Sequence, residues 1–543
     1  TIPRHAYVKS KRQQNLLIFI VIMTMITQSI TLSSNQIVEQ KKQMDFSNDL
    51  DIPIYDSDGD GVNDENDSHP HDSHLFQHIV GGAPFSEWSA YPSMTYQIYP
   101  TQQINHEVPN GMDWGDIDND GDVDMLISIL EGKNILLENN GDGGMTQMWT
   151  ETTAGDWFTW SQRFADFNKD GWLDIMFASY DGYSYISYNN NGTFNNTPDW
   201  NTSNPGYQMD GEVADFNGDG YPDIYFGGQV DQLFLNNNGQ FGNTTYWEEP
   251  SNVEVDQGHL GRSFGKTTTF EVATGDYDRD GDVDIIQANG WYEGFGMAQI
   301  EGYNMIWDNN GNGTFGDFNS TGDEIPSWDS WHANVSEDIE LADLDGDGYF
   351  EIIVADDWRW SQQAGYTWNA PNHIYWNNNG SFDRNETWSS GLERGTTGVA
   401  SGDLDMDNDI DLVFSNGWAH STDENGAPLI QNNTDHIYEN NNGTISSHPI
   451  WTSAANMSTM DVSVVDYDGD KDLDIVFLRH NHTNSANENI IEFYENPWSN
   501  IDKDDWGDDD DDCPAIPGNS TEDRKGCPDS DGDGWSDADT EWT

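Results

Sequence analysis

Seven short strings gather 30 of the chain's 98 Asp and Glu residues into one recurring pattern. They begin at Asp116 (DIDNDGDVD), Asp166 (DFNKDGWLD), Asp215 (DFNGDGYPD), Asp276 (DYDRDGDVD), Asp343 (DLDGDGYFE), Asp403 (DLDMDNDID) and Asp466 (DYDGDKDLD). Positions one, three, five and nine of each string carry a side-chain oxygen, and position six is usually glycine. In a tight turn, alternate residues point inward, the glycine permits the bend, and the carbonyl of position seven adds one more oxygen. That arrangement wraps a hard divalent cation.

The candidate ligands are therefore Asp116, Asp118, Asp120, Asp122 and Asp124; Asp166, Asn168, Asp170, Trp172 and Asp174; Asp215, Asn217, Asp219, Tyr221 and Asp223; Asp276, Asp278, Asp280, Asp282 and Asp284; Asp343, Asp345, Asp347, Tyr349 and Glu351; Asp403, Asp405, Asp407, Asp409 and Asp411; and Asp466, Asp468, Asp470, Asp472 and Asp474. Position seven counts only for its main-chain oxygen. All-oxygen donation in this number suits Ca²⁺ better than Mg²⁺, and zinc is disfavoured because no His or Cys lies in the strings. A helix-flanked calcium hand is excluded, since no helical period surrounds the loops and a bidentate Glu at position twelve is missing. Copies six and seven place Asn408 and Lys471 where glycine is expected, and copies two and three carry fewer charges. Weaker binding is expected at all four.

The strings recur at intervals of 50, 49, 61, 67, 60 and 63 residues, and repeats of this kind mean a repetitive fold. An apolar stretch precedes each loop and a strand-like one follows. A further strand then ends in an Asn-Gly turn, as in LFLNNNGQF (Leu233–Phe241), HIYWNNNGSF (His373–Phe382) and HIYENNNGTI (His436–Ile445). Asn-Gly between apolar runs is a hairpin signal, because both residues tolerate positive φ. A last strand leads to a Trp, as at Trp200, Trp247, Trp388 and Trp451. About four antiparallel strands per period, seven times, predict an all-β, seven-bladed β-propeller rather than an open array. The segment Ile79–Tyr99 is expected to supply the strand that completes the last blade.

Lys and Arg total 20 against 98 Asp and Glu, a net charge of −78. Such a balance excludes nucleic acid as a partner, because that affinity comes from neutralising phosphates. It also opposes binding to an anionic membrane. The 23 Trp and 13% aromatic content are too high for a disordered chain. Arg4, Lys9, Lys11 and Arg12 precede an apolar run from Leu16 to Ile26, so residues 1–34 read as a signal peptide or a signal-anchor, and the protein as secreted or displayed at the cell surface. The first residue is not Met and the chain stops abruptly at Thr543, which suggests a fragment. Cys513 and Cys527 are expected to form one local disulfide in the exported chain.

The loop between two strands, followed by an N-N-G-T-F hairpin, resembles the FG-GAP/VCBS repeat of integrin-α-type propellers over residues 81–498. The resemblance implies seven blades with calcium in hairpins on one face, about seven ions in all. It does not choose among the adhesion receptors, lectins and accessory domains of carbohydrate enzymes that share the fold. Two flanking segments, 35–80 and 499–543, resemble thrombospondin type 3 calcium repeats. Asp56, Asp58, Asp60, Asp64 and Asp67 carry this likeness in the first, and Asp529, Asp531, Asp533 and Asp537 in the second. One or more further ions are implied in each.

If the calcium loop joins strands one and two, the Asn-Gly hairpin falls on the same face. The connections of uneven length then share the opposite face. Those connections carry Trp291, Trp358, Arg359, Trp418, His420, His480, Arg262, Trp331 and Arg394. Aromatic and Arg side chains on a concave face suit a glycan or a surface-protein partner. The leading expectation is an adhesion or ligand-binding module. A second is an accessory or catalytic propeller of a polysaccharide lyase or glycoside hydrolase, for which Asp113, Asp210, Glu212, Glu271, Asp338, Glu340 and Asp461 would offer carboxylates around the channel. A third is a purely structural surface protein.

Overall fold

The computed structural model describes residues 85–86, 88–98, 108–130, 132–141, 143–151, 158–195, 197–250, 268–290, 302–318, 324–330, 334–361, 365–368, 370–417, 433–454, 457–481 and 488–497. Blade one pairs Val108–Gly115, Asp124–Leu130, Ile135–Asn139 and Met145–Thr150 in sequence order, every pair antiparallel. Blades two to six repeat that order from inner strands Thr159–Ala165, Gln208–Ala214, Thr268–Gly275, Asn334–Ala342 and Thr396–Gly402. Blade five carries an added strand, Gly365–Trp368, against its long second strand. Each inner strand touches that of the next blade, and that of blade seven, Ser458–Val465, touches Val108–Gly115. The ring is therefore closed. No helix occurs among the described residues, so none there is long and apolar enough to cross a membrane.

Closure is made by the expected segment. Met94–Ile98 pairs antiparallel with Glu488–Tyr494 and becomes the outermost strand of blade seven. A blade shared between the two ends of the repeat region removes the last free edge without a new element.

Second strands are continuous apolar runs such as DMLISIL (Asp124–Leu130), buried on both faces because each blade is sandwiched between two others. Tryptophans wedge the blades together. Trp149 packs on Phe194, Trp200 on Phe241, Trp247 on Trp307, Trp328 on Tyr375, Trp388 on Phe414 and Trp451 on Tyr494, each reaching the following blade. The hairpins take the left-handed conformation that Asn-Gly allows, as at Asn238 (φ 54°) and Gly239 (φ 80°).

Every inner strand also breaks register near its start. The break falls between Pro109 and Gly111, Thr159 and Ser161, Gln208 and Asp210, Thr269 and Glu271, Thr396 and Gly398, and Thr459 and Asp461, with a double shift from Val335 to Asp338. A bulge there bends the strand at the channel mouth and re-aims the side chains that follow it.

Candidate metal centres

All seven aspartate strings join the first and second strands of a blade, on one face of the ring. Their turns share one geometry. The position-one carboxylate accepts the N–H groups of positions five and six: Asp116 from Asp120 and Gly121 (both 3.0 Å), and Asp276 from Asp280 (2.9 Å) and Gly281 (3.0 Å). The position-five carboxylate accepts the N–H of position seven, as Asp219 does from Tyr221 at 3.0 Å. Such turns need positive φ at position six, and glycine supplies it in five copies. Asn408 (φ 70°) and Lys471 (φ 73°) adopt it as well, at the steric cost that a side chain bears there.

Position nine is the most buried ligand. Asp124 Oδ2 accepts the Ile117 N–H at 3.0 Å, and its Oδ1 accepts the Asn139 N–H at 2.8 Å. Burial pushes its carboxyl up to about 7, and the same cause raises Asp174 and Asp223 to about 8 and Glu351 to about 8. Carboxylates held dry beside other carboxylates call for a compensating positive charge.

Several of their oxygens are buried without a hydrogen-bond partner: Asp118 Oδ1, Asn168 Oδ1, Asp284 Oδ2, Asp403 Oδ1, Asp405 Oδ1, both oxygens of Asp472, and Asp474 Oδ2. In five loops the acids already converge, with ligand atoms within 4.8 Å of one another: Asp116–Asp118–Asp124, Asp276–Asp278–Asp284, Asp343–Asp345–Asp347, Asp403–Asp405–Asp411 and Asp466–Asp468–Asp474. Orphaned, convergent, all-oxygen donors fit a divalent cation. Loops two and three differ as their asparagines suggest. Asn217 turns its amide nitrogen toward Asp223 Oδ2 (3.0 Å), so a cation there requires the amide to rotate its oxygen inward.

The hairpins contribute a ring of asparagines that the sequence reading used only as a turn signal. In each blade an Asn donates its backbone N–H to the position-nine carboxylate of its own loop. Its side-chain nitrogen reaches the position-two carbonyl of the preceding blade: Asn189 to Ile117, Asn236 to Phe167, Asn309 to Phe216 and Asn377 to Tyr277, all at 2.8 Å. Asn440 reaches Leu344 (2.8 Å), Asn496 reaches Leu404 (2.9 Å), and Asn139 reaches Tyr467 (2.5 Å) across the closure. Every loop is thus tied to its neighbour through a ligand-bearing position. The signal was present as the first Asn of the hairpin run in blades one to six, while Asn496 of blade seven stands directly before Pro497.

The channel acids have another role. Asp113 accepts the Phe164 N–H (2.6 Å), Asp210 that of Val272 (3.0 Å), Asp338 that of Val399 (2.7 Å) and Asp461 that of Met112 (2.8 Å). Glu340 accepts the Ser401 N–H at 3.0 Å. Each acid caps the exposed edge of the next inner strand. Arg163 sits among Glu212, Asp210 and Glu271, with Glu212 Oε1 2.5 Å from its Nη2. These carboxylates stitch neighbouring blades together.

On the opposite face, His480 is corrected. It is 3% exposed, and its Nδ1 lies 2.6 Å from Asn489 Oδ1, so it cannot meet a ligand. Its neighbour Arg479 is fully buried between Asp435 (2.7 Å) and Glu492 (2.5 Å), because the second strand of blade seven runs to Asn481 and draws both residues into the sheet. Trp358 and Arg359 likewise extend a second strand, Glu351–Ser361, rather than forming a loop. Arg394 is half-buried, and its Nη1 donates to the Glu393 carbonyl at 3.1 Å. Trp291, Trp418, His420, Arg262 and Trp331 lie outside the described residues, as do residues 1–34, both thrombospondin-like segments, Cys513 and Cys527.

A profile described as FG-GAP-like repeat matches residues 116–177, 166–226, 343–414 and 427–477. Among curated proteins no significant match is found. Each matched stretch begins at or spans an aspartate loop and runs into the second strand of a blade, so the profile and the geometry mark the same unit. The described part of this chain is a seven-bladed β-propeller, four stretches of which match the FG-GAP-like repeat.

Proposed function

We propose that the chain is an exported, calcium-dependent ligand-binding module whose metal loops stiffen one face of the ring while the other face holds a glycan. Oxygen-only donors with a main-chain carbonyl at position seven favour Ca²⁺ over Mg²⁺, which retains its waters. The observation that carries the ligand reading is an aromatic run on the face opposite the loops. Trp160 meets Tyr180 (5.7 Å between ring centroids), and Tyr180 meets Tyr207 (5.4 Å). Tyr207 is 48% exposed. The run leads from Trp160 at the start of the blade-two inner strand to Tyr207, the residue just before the blade-three inner strand. Aromatic faces beside polar backbone are the usual means of holding a sugar ring.

A glycan array probed with the calcium-loaded protein tests this. The expected result is selective binding that EDTA abolishes and that Tyr207→Ala weakens by about 10-fold, the equivalent of ~1.4 kcal/mol. An array without signal, together with specific capture of a protein that Tyr207→Ala leaves unchanged, overturns the glycan reading.

A further inference from the structure

Blades one to six each turn from their third to their fourth strand through a hairpin on the metal face. Blade seven does not, because its fourth strand is Met94–Ile98 from the other end of the repeat region. The consequence appears at loop position seven. In blades one, four and six that position is aspartate, and its carboxylate rests on the blade's own hairpin. Asp122 and Asp282 lie against Gly141 and Gly311, where an added β-carbon would strike the carboxylate. Asp409 accepts the Asn442 N–H at 2.7 Å. All three are half-buried.

Above Asp472 there is no such hairpin, since the chain continues from Tyr494 through Glu495 to Pro497. Asp472 is 0% exposed, and neither of its oxygens meets a donor. The largest electrostatic influences on it come from the carboxylates of Asp474, Asp470, Asp466 and Asp468. The Asp470 carboxylate accepts the Asp472 N–H at 3.3 Å. Asp466, Asp468 and Asp474 converge beside them, and Asp474 Oδ2 is also unpartnered.

We propose that Asp472 ligates the cation of the closing blade through its side chain, making this loop the tightest metal site of the ring. The other six loops offer a main-chain carbonyl at that position. Here Asp466, Asp468, Asp470, Asp472 and Asp474 all bring carboxylate, and affinity in oxygen-ligand loops rises with ligand charge. The ranking reverses what Lys471 at the glycine position suggests. Lys471 still takes the left-handed turn (φ 73°), and its N–H closes on Asp466 Oδ2 at 3.0 Å, as a glycine N–H does in the regular copies. The strongest clamp therefore lies on the blade assembled from two distant parts of the chain.

The inference rests on the loops taking calcium. Calorimetric titration of the chelator-stripped full chain with Ca²⁺ alone tests it, alongside melting in EDTA. Wild type is expected to show one step tighter than the rest. Asp472→Asn weakens that step by about 10-fold or more, and in EDTA it melts above wild type, because a buried carboxylate without a partner has been removed. Asp122→Asn leaves the tightest step unchanged. An Asp472→Asn titration that superimposes on wild type, an equal loss in Asp122→Asn, or a lower melting point of Asp472→Asn in EDTA overturns the proposal. Total absence of calcium uptake instead sinks the calcium reading on which it stands.

Discussion

The aspartate loops and the central channel are both rich in carboxylate, yet the two sets are wired in different ways. Loop carboxylates take their hydrogen bonds mainly from their own turns and hairpins and retain buried oxygens, such as Asp284 Oδ2 and Asp405 Oδ1, that no donor reaches. Channel carboxylates reach across to the next blade and accept its inner-strand N–H groups, as Asp338 does from Val399 and Asp461 from Met112. The first arrangement is incomplete without a cation. The second differs in the direction of its hydrogen bonds, which run across blades rather than within one turn. Residue type does not distinguish a metal site from a structural cap; the donors that reach each oxygen do.

Chelation should separate the two sets most strongly. Each loop saturated at 100 times its dissociation constant contributes about 2.7 kcal/mol. EDTA is therefore expected to lower the denaturant midpoint of the whole propeller sharply, as followed by far-ultraviolet circular dichroism. The channel contributes nothing to that difference. An unchanged midpoint would erase the distinction.

Single substitutions sharpen the contrast. Asp276→Ala removes a ligand and the exposed turn hydrogen bonds from Asp280 and Gly281, so it should cost about 1 kcal/mol even in EDTA and lose one bound calcium as well. Asp338→Ala strands the Val399 N–H and should cost ~1–3 kcal/mol while calcium stoichiometry stays the same. Metal analysis of the two variants reads the difference directly.

Acidity acts on the channel in a defined direction. Burial raises Glu212 to about 7 and Asp461 to about 6, above the values of their unfolded states. The folded state therefore binds more protons than the unfolded one between those limits. The stabilisation is fully present below roughly pH 4 and is lost as pH rises through 6 to 7. In saturating calcium, melting should fall from pH 5 to pH 8, and Glu212→Gln should flatten the slope. A slope of opposite sign would contradict the burial of these groups. The smallest expected effect is Lys471→Gly, which relieves left-handed strain at a non-glycine residue and should stabilise the chelated protein by about 1 kcal/mol.

Period, loop geometry, hairpin chirality and the closing strand were legible in the sequence because each is local. An aspartate turn or an Asn-Gly hairpin declares its backbone conformation within a few residues. What was not legible depends on which blade faces which. Asp113 and Asp210 resemble solvated channel acids until the bulged inner strand of the next blade is placed beside them. Arg479 and His480 resemble loop residues until Asp435 and Glu492, distant in sequence, close around Arg479. The asparagine ring was visible as a recurring residue, but its role as a bridge between adjacent metal loops appears only when the blades are set side by side.

The most direct measurement is the calcium content of gel-filtered protein by elemental analysis, compared between wild type and variants that disable one loop at a time. The account predicts retained calcium that falls by one equivalent for Asp276→Ala and does not change for Asp338→Ala. Protein that carries no calcium after loading, or an equal loss from the channel variant, would contradict it.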